Sequence, residues 1–223
     1  MHKSRGALAL LLLTLAVGDT AVGRPAMAQQ FSAEIVSRDA GGKPIGAAAK
    51  LYVADRKLRI ETADLPDSVL IVDALAPAAY MVAPAQHAFI DARQTSRLTR
   101  LFVPLDPDDP CAQWQVMAEV AGLPSLRGQW RCNVGGHETV EGRSTLKFEA
   151  TSPQGHRTGW IDLELHFPLK IEAEDGSILE LRNIEEALQP AEKFAIPSDY
   201  KKYDLGRLIE HLKHTDIWVE PPH

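Results

Sequence analysis

Between His156 and Lys202 the chain alternates charged and apolar residues, and a period of two leaves room for little except a sheet. Leu169-Lys170-Ile171-Glu172-Ala173 and Ile178-Leu179-Glu180-Leu181-Arg182-Asn183-Ile184 each separate apolar side chains from charged ones. Successive side chains of a strand point to opposite faces, so both runs predict one dry face and one wet face. Glu174-Asp175-Gly176-Ser177, between them, has the length and the glycine of a tight hairpin turn. Gly159-Trp160-Ile161-Asp162 with Leu163-Glu164-Leu165 reads as the preceding strand, and the residues after Ile184 as a closing segment.

The start of the chain bears on where such a sheet would work. His2, Lys3 and Arg5 precede an eleven-residue apolar run, Ala7 to Val17. A bilayer span takes about 20 residues, whereas a secretory signal core is shorter. Ala26-Met27-Ala28 supplies a small-x-small cleavage pattern, so residues 1–28 are expected to be a signal peptide cut after Ala28. Cleavage after Gly18 and an uncleaved membrane anchor are the competing readings. Cut after Ala28, the chain is expected to be free in the periplasm, without an integral membrane span.

Two cysteines in an exported chain read as one disulfide, Cys111 to Cys132. A metal site or a redox pair is the alternative, but there is no C-x-x-C and two thiols are too few for structural zinc. The segment 1–28 removes Lys3, Arg5, Arg24 and Asp19 from a total of 24 basic and 30 acidic residues, which makes the remainder more acidic. A chain of that sign lacks the basic footprint that nucleic acid or anionic lipid heads require.

Taken in order, Phe31–Arg38, Ala47–Ala54, Lys57–Ala63, Ser68–Asp73, Ala79–Ala83 and His87–Ala92 read as a six-strand antiparallel meander with short connections. The period then changes. Leu98, Leu101, Phe102 and Leu105 fall at helical spacing, and Asp109-Pro110 predicts an N-cap with proline at the first helical position. That helix is expected over 110–121, with Trp114, Met117 and Ala121 on one face and Gly122 beyond its end. Strands resume at 129–134, break at Gly135-Gly136, and turn at Glu141-Gly142 into Ser144–Thr151. Leu205–Lys213 reads as a short amphipathic helix before a polar tail.

The expected fold class is therefore mainly β (α+β). One long curved antiparallel sheet, an incomplete barrel of about 10–11 strands, would have its concave face capped by two or three helices. Residues 29–204 would form this half-barrel domain and 205–223 a C-terminal helix and tail.

Several stretches resemble the superfamily of periplasmic outer-membrane lipoprotein carriers typified by LolA and LolB, and more closely a subgroup of small exported proteins sharing that fold. They are Lys50-Leu51-Tyr52-Val53 with Lys57-Leu58-Arg59-Ile60-Glu61-Thr62, Tyr80-Met81-Val82 with His87-Ala88-Phe89-Ile90, and Gly136-His137-Glu138-Thr139-Val140-Glu141-Gly142-Arg143. Trp160-Ile161-Asp162, Pro168-Leu169-Lys170, Leu179 to Ile184 and Phe194 to Lys202 carry it further, so that it covers roughly Phe31 to Lys202. The resemblance implies a half-barrel with a helical lid over an apolar cavity, which in the carriers holds an acyl chain. Two departures matter. A disulfide tying down the central helix would hinder lid opening, and the carriers' lid-locking arginine has no counterpart position here.

Motifs of chemistry have bland readings. His211 and His214 are at i, i+3, and Glu164 and His166 would share a strand face, but neither pair has a third ligand. Ser198-Asp199-Tyr200-Lys201 matches S-x-x-K without its partner motifs or a helix start, after Ile196-Pro197. No enzyme activity, catalytic residue, metal or cofactor is expected. The candidate site is the apolar set: Leu98, Leu101, Phe102, Trp114 and Met117 on the helices, facing Tyr80, Phe89, Phe148 and Trp160 on strands. Plain core packing is the competing explanation of that set. The expected function is a monomeric, non-enzymatic periplasmic binding protein for a lipid, acyl chain or other hydrophobic small molecule. The alternative is an interaction or envelope-stress module with a filled core and an envelope-protein partner. A hydrolase is the third class, resting only on scattered Ser, His and Asp.

Overall fold

A computed structural model describes residues 29–63, 65–73, 78–92, 107–112, 130–153 and 155–204. Its strands are β1 (Gln30–Arg38), β2 (Ala49–Ala54), β3 (Lys57–Thr62), β4 (Val69–Asp73), β5 (Ala78–Ala83) and β6 (Ala88–Asp91), then β7 (Arg131–Val140), β8 (Arg143–Ser152), β9 (Gly155–Asp162), β10 (Phe167–Ala173), β11 (Ile178–Glu186) and β12 (Lys201–Tyr203). All twelve join one open sheet in the order β12-β6-β5-β4-β3-β2-β1-β11-β10-β9-β8-β7. Two meanders, β1 to β6 and β7 to β11, meet where β1 pairs with β11.

The expected meanders are present, with corrections of physical interest. The sheet has twelve strands, and the additional one, β12, runs parallel to β6. Gly135-Gly136 does not end a strand; it lies within β7, where the register shifts between Val134 and His137. Leu163-Glu164-Leu165 is a turn and not a strand. The Asp162 carboxylate accepts the Glu164 and Leu165 backbone N–H groups, both at 2.8 Å, and His166 follows with φ of 48°. Glu164 and His166 therefore share no strand face. Two hairpins turn on consecutive residues with positive φ, Asp55-Arg56 and Glu141-Gly142, a twist that matches the flanking strands.

Register defines the faces. Phe31, Val53, Leu58, Val72 and Ala79 form one cross-strand row, and Ile171, Gly159, Phe148 and Val134 form another. Apart from the edge residue Val134, which is exposed, these rows belong to the dry face, whose cluster also holds Leu51, Ile60, Phe167, Leu169 and Leu181, all essentially inaccessible. Phe31 meets Phe167 edge to face with centroids 5.3 Å apart. The opposite face is wet across the second meander, where Glu180, Lys170, Trp160 and Lys147 stand in one row.

Around β4 the second face is buried too. Val69-Leu70-Ile71-Val72 has no alternation, as expected of a strand covered on both sides. Ile71 and Val82 face away from the main core yet are buried, as is Phe194 in the 3-10 turn Ala191–Phe194. The returning segment crosses this face. Arg59 donates through Nη1 to the Lys193 carbonyl at 3.0 Å, and the Lys193 ammonium lies 3.5 Å from the Tyr52 ring centroid. The chain then reaches β6, where Lys201 N–H donates to the His87 carbonyl at 2.9 Å.

Of the expected capping helices, the described residues include only the first turn at Pro110–Ala112. Its start is as predicted, with the Asp109 side chain accepting the Ala112 N–H at 3.2 Å. The helical stripe 95–105, the remainder of 110–121 and the helix 205–213 lie outside the described residues. Among the described residues no helix is long and apolar enough to cross a membrane.

Candidate functional site

The four aromatic candidates on strands do not share one face. Phe148 opposes Gly159 on the dry face and is fully buried. Tyr80 follows dry-face Ala79, and Phe89 pairs with Val82, so both lie on the other face, ring against ring at 5.6 Å. Trp160 follows dry-face Gly159 and also points to the other side. No single cavity is lined by all four. Leu98, Leu101, Phe102, Trp114 and Met117 lie outside the described residues.

Trp160 sits in polar company. Its indole N–H donates to Glu138 Oε2 at 2.7 Å, and the Lys170 and Lys147 ammonium groups stand 4.2 and 5.5 Å from its ring centroid. Lys147 also donates to Glu138 at 3.2 Å. The indole hydrogen bond, then Lys147, holds the Glu138 carboxyl below its ordinary pKa. Lysine stems laid over a nearly inaccessible tryptophan explain the cluster as packing and cation–π contact.

The dry face is the better candidate for an apolar ligand. Its edge is defined by the disulfide Cys111–Cys132, whose α-carbons are 5.7 Å apart. Cys132 pairs with dry-face Ala150 and packs against the core cluster. The disulfide therefore anchors the helix start at the dry side of the sheet, with Pro110 and Cys111 buried there.

A charged joint lies at the β8–β9 end of the sheet. Asp162, 1% exposed, is ion-paired with the Arg143 guanidinium, which also reaches Glu186 at 2.8 Å and Glu164 at 3.6 Å. The hydrogen bond to Asp162 and that to Glu186 raise the Arg143 pKa above its ordinary value despite partial desolvation. Every carboxylate here faces one guanidinium, an arrangement that holds strands together and leaves no free nucleophile. Ser198-Asp199-Tyr200-Lys201 lies in the turn entering β12, where Asp199 pairs with His87 at 2.9 Å. Among the described residues no three His, Cys, Asp or Glu side chains stand close enough to hold a metal. His211 and His214 lie outside them.

One groove was not anticipated from sequence. A cavity of about 380 Å³ opens on the second face between the β3–β4 loop and the 3-10 turn Pro84–Gln86, lined by Arg59, Glu61, Leu65, Asp67, Val69 and Pro84 among others. In the sequence this loop is only a short connection between two strand-like runs, and no motif marks it.

The fold defines the class: an open, predominantly antiparallel sheet scaffold with one continuous dry face. No family model matches the sequence, and no curated protein matches it. Solved structures do. PNGF-II is similar at 12% identity and a TM-score of 0.50, over 84% of this chain and 33% of that one, so the chain spans about a third of its length. A conserved Thermus thermophilus protein is similar at 12% identity and a TM-score of 0.46, over 80% and 91% of the two chains. A Vibrio parahaemolyticus outer membrane lipoprotein-sorting protein domain aligns at 12% identity and a TM-score of 0.36, over 77% and 92%. At these identities the likeness concerns the fold alone, and the two lower scores carry no further argument.

Proposed function

We propose that the chain is an exported, non-enzymatic binding protein that holds a lipid, acyl chain or comparable hydrophobic molecule against the dry face of its sheet. One observation carries this reading. The dry face extends from β6 to β7, and the disulfide brings a helix start to it at the β7 side. An apolar sheet face with a helix start pinned beside it is suited to hydrophobic cargo, because ligand sites are concave, mostly apolar and preformed. The test is native mass spectrometry of protein purified without detergent. A bound acyl-sized mass that detergent displaces is expected, and a persistently empty protein would overturn the proposal. Export belongs to the same reading: residues 1–28 act as a periplasmic signal peptide, and N-terminal sequencing of the exported protein should begin at Gln29.

A second reading, docking of an envelope protein, is favoured by β7. This ten-residue strand is the sheet's outer edge and is exposed along most of its length, including Val134 at 55%. Unpaired strand edges can accept another strand. Crosslinking from a photoreactive residue at Asn133 in periplasm would capture a discrete partner under this reading, and an uncrosslinked protein would exclude it.

A further inference from the structure

We propose that the Asp175–Gly176 bond is a site of spontaneous isoaspartate formation, and that the Ser177 side chain holds the reaction back in the folded protein. The site is the turn between β10 and β11, and it shares no residue with the core cluster of the dry face.

Asp175 is the only aspartate of the sequence that precedes a glycine, and no asparagine does. The pairing matters because the reaction begins at the following backbone nitrogen, which glycine leaves unshielded by any β-carbon. The Gly176 nitrogen attacks Cγ of Asp175 and a C–N bond forms. The carboxyl –OH and the amide hydrogen leave together as water. Water then opens the five-membered imide at either carbonyl. One opening restores aspartate; the other routes the main chain through the side chain, with no net change of mass. The fold itself requires Gly176. Its φ is 76°, and a β-carbon there would stand 3.0 Å from Cβ of Ala40 in the β1–β2 loop. The hairpin therefore keeps its Asp-Gly bond and the reactivity that comes with it.

Three hydrogen bonds oppose the attack. The Gly176 N–H, on the attacking nitrogen, donates to the Ala173 carbonyl at 2.9 Å. Asp175 Oδ1, on the group attacked, accepts the Ser177 N–H at 2.9 Å and the Ser177 hydroxyl at 2.6 Å. The Ala173 N–H closes the turn on the Ser177 carbonyl at 2.9 Å. A carboxyl group loses its –OH from the protonated form, which this turn disfavours. The Ser177 hydroxyl, and after it the Ser177 N–H, holds the Asp175 carboxyl below its ordinary pKa. Of these contacts, the hydroxyl is the one that a side-chain substitution removes while leaving the backbone bonds in place.

Ageing of the purified protein, with isoaspartate located by electron-transfer fragmentation, tests the assignment. Isoaspartate at position 175 should form at least about tenfold more slowly than in a peptide spanning Lys170–Leu181, because reaction waits on opening of the turn. Ser177→Ala should speed it about fivefold, the scale of one hydrogen bond. Ser177→Thr keeps a hydroxyl and should age like the unaltered protein. The pH profile separates protection from mere loosening of the turn. As pH falls, the rise in rate should level off at a higher pH in Ser177→Ala, whose carboxyl has lost a bond to its charged form. Equal rates in protein and peptide would overturn the proposal. So would an alanine variant that ages no faster or with an unchanged pH profile, or a threonine variant as fast as alanine. None of these outcomes depends on whether the dry face carries a lipid.

Discussion

Phe148 lies with its ring directly over the α-carbon of Gly159, its cross-strand partner. A β-carbon at Gly159 would fall inside the ring's van der Waals envelope, and the ring is fully buried. Gly159→Ala should therefore cost about 2–3 kcal/mol, the range for overpacking a well-filled core. A double-mutant cycle with Phe148→Leu, read by urea denaturation, should recover part of that loss, and strict additivity would show that the two residues do not collide. Glu180 offers a second test at this scale. Burial pushes its carboxyl pKa up, but hydrogen bonds from Arg38 and Arg182 outweigh that and hold it below the ordinary glutamate value. A depressed folded-state pKa adds stability that is present above the unfolded value and is lost as pH falls through the folded one. Glu180→Gln should thus flatten the acid limb of the stability–pH profile below about pH 4.5, with little change of shape near pH 7. An unchanged acid limb would contradict this. Faces were legible only where residues alternate. In Ala78-Ala79-Tyr80-Met81-Val82 both parities are apolar, so nothing in the sequence says which side Tyr80 takes. Trp160 beside Ile161 has the same ambiguity. The candidate lining was accordingly drawn from both faces.

At the scale of the element, β10 and β11 were readable because each wets one face and dries the other, and β1 to β6 because short turns separate apolar runs. β12 was not. Lys201-Lys202-Tyr203 is exposed throughout, and it belongs to the sheet through backbone pairing with β6, which leaves no side-chain period to read. Leu163–Leu165 failed for the opposite reason: its apolar spacing continues that of β9, but the side chain of Asp162 captures the backbone and turns it. Two substitutions separate the roles of that aspartate. Asp162→Asn keeps an oxygen that can accept the turn N–H groups but removes the charge that pairs with Arg143. Asp162→Ala loses both. Alanine should cost about 3–5 kcal/mol and asparagine measurably less, since removing one partner of a buried pair strands the other. Equal losses in urea titrations would mean that the turn bonds contribute nothing.

For the whole molecule, the disulfide matters in two ways that can be measured apart. Cys111 and Cys132 are 21 residues apart, and on the chain-entropy model closing such a loop contributes about 3 kcal/mol. The double variant Cys111→Ser/Cys132→Ser should lose stability on that scale, seen as a lower urea midpoint with a similar slope. The functional consequence follows from position. Cys132 belongs to the dry face and Cys111 to the helical turn Pro110–Ala112, so the bond fixes where that turn stands relative to the sheet. If hydrophobic cargo lies between them, the bond restricts the opening through which cargo leaves. A fluorescent fatty acid loaded onto the oxidised protein should then dissociate slowly and leave about tenfold faster from the double serine variant, a barrier change of roughly 1.4 kcal/mol. That comparison belongs at a denaturant-free temperature where both proteins are fully folded. Equal dissociation rates would separate the disulfide's stabilising role from any gating role. They would also shift attention to the exposed edge of β7, which the same disulfide reaches through Cys132 and where a protein partner would add its strand.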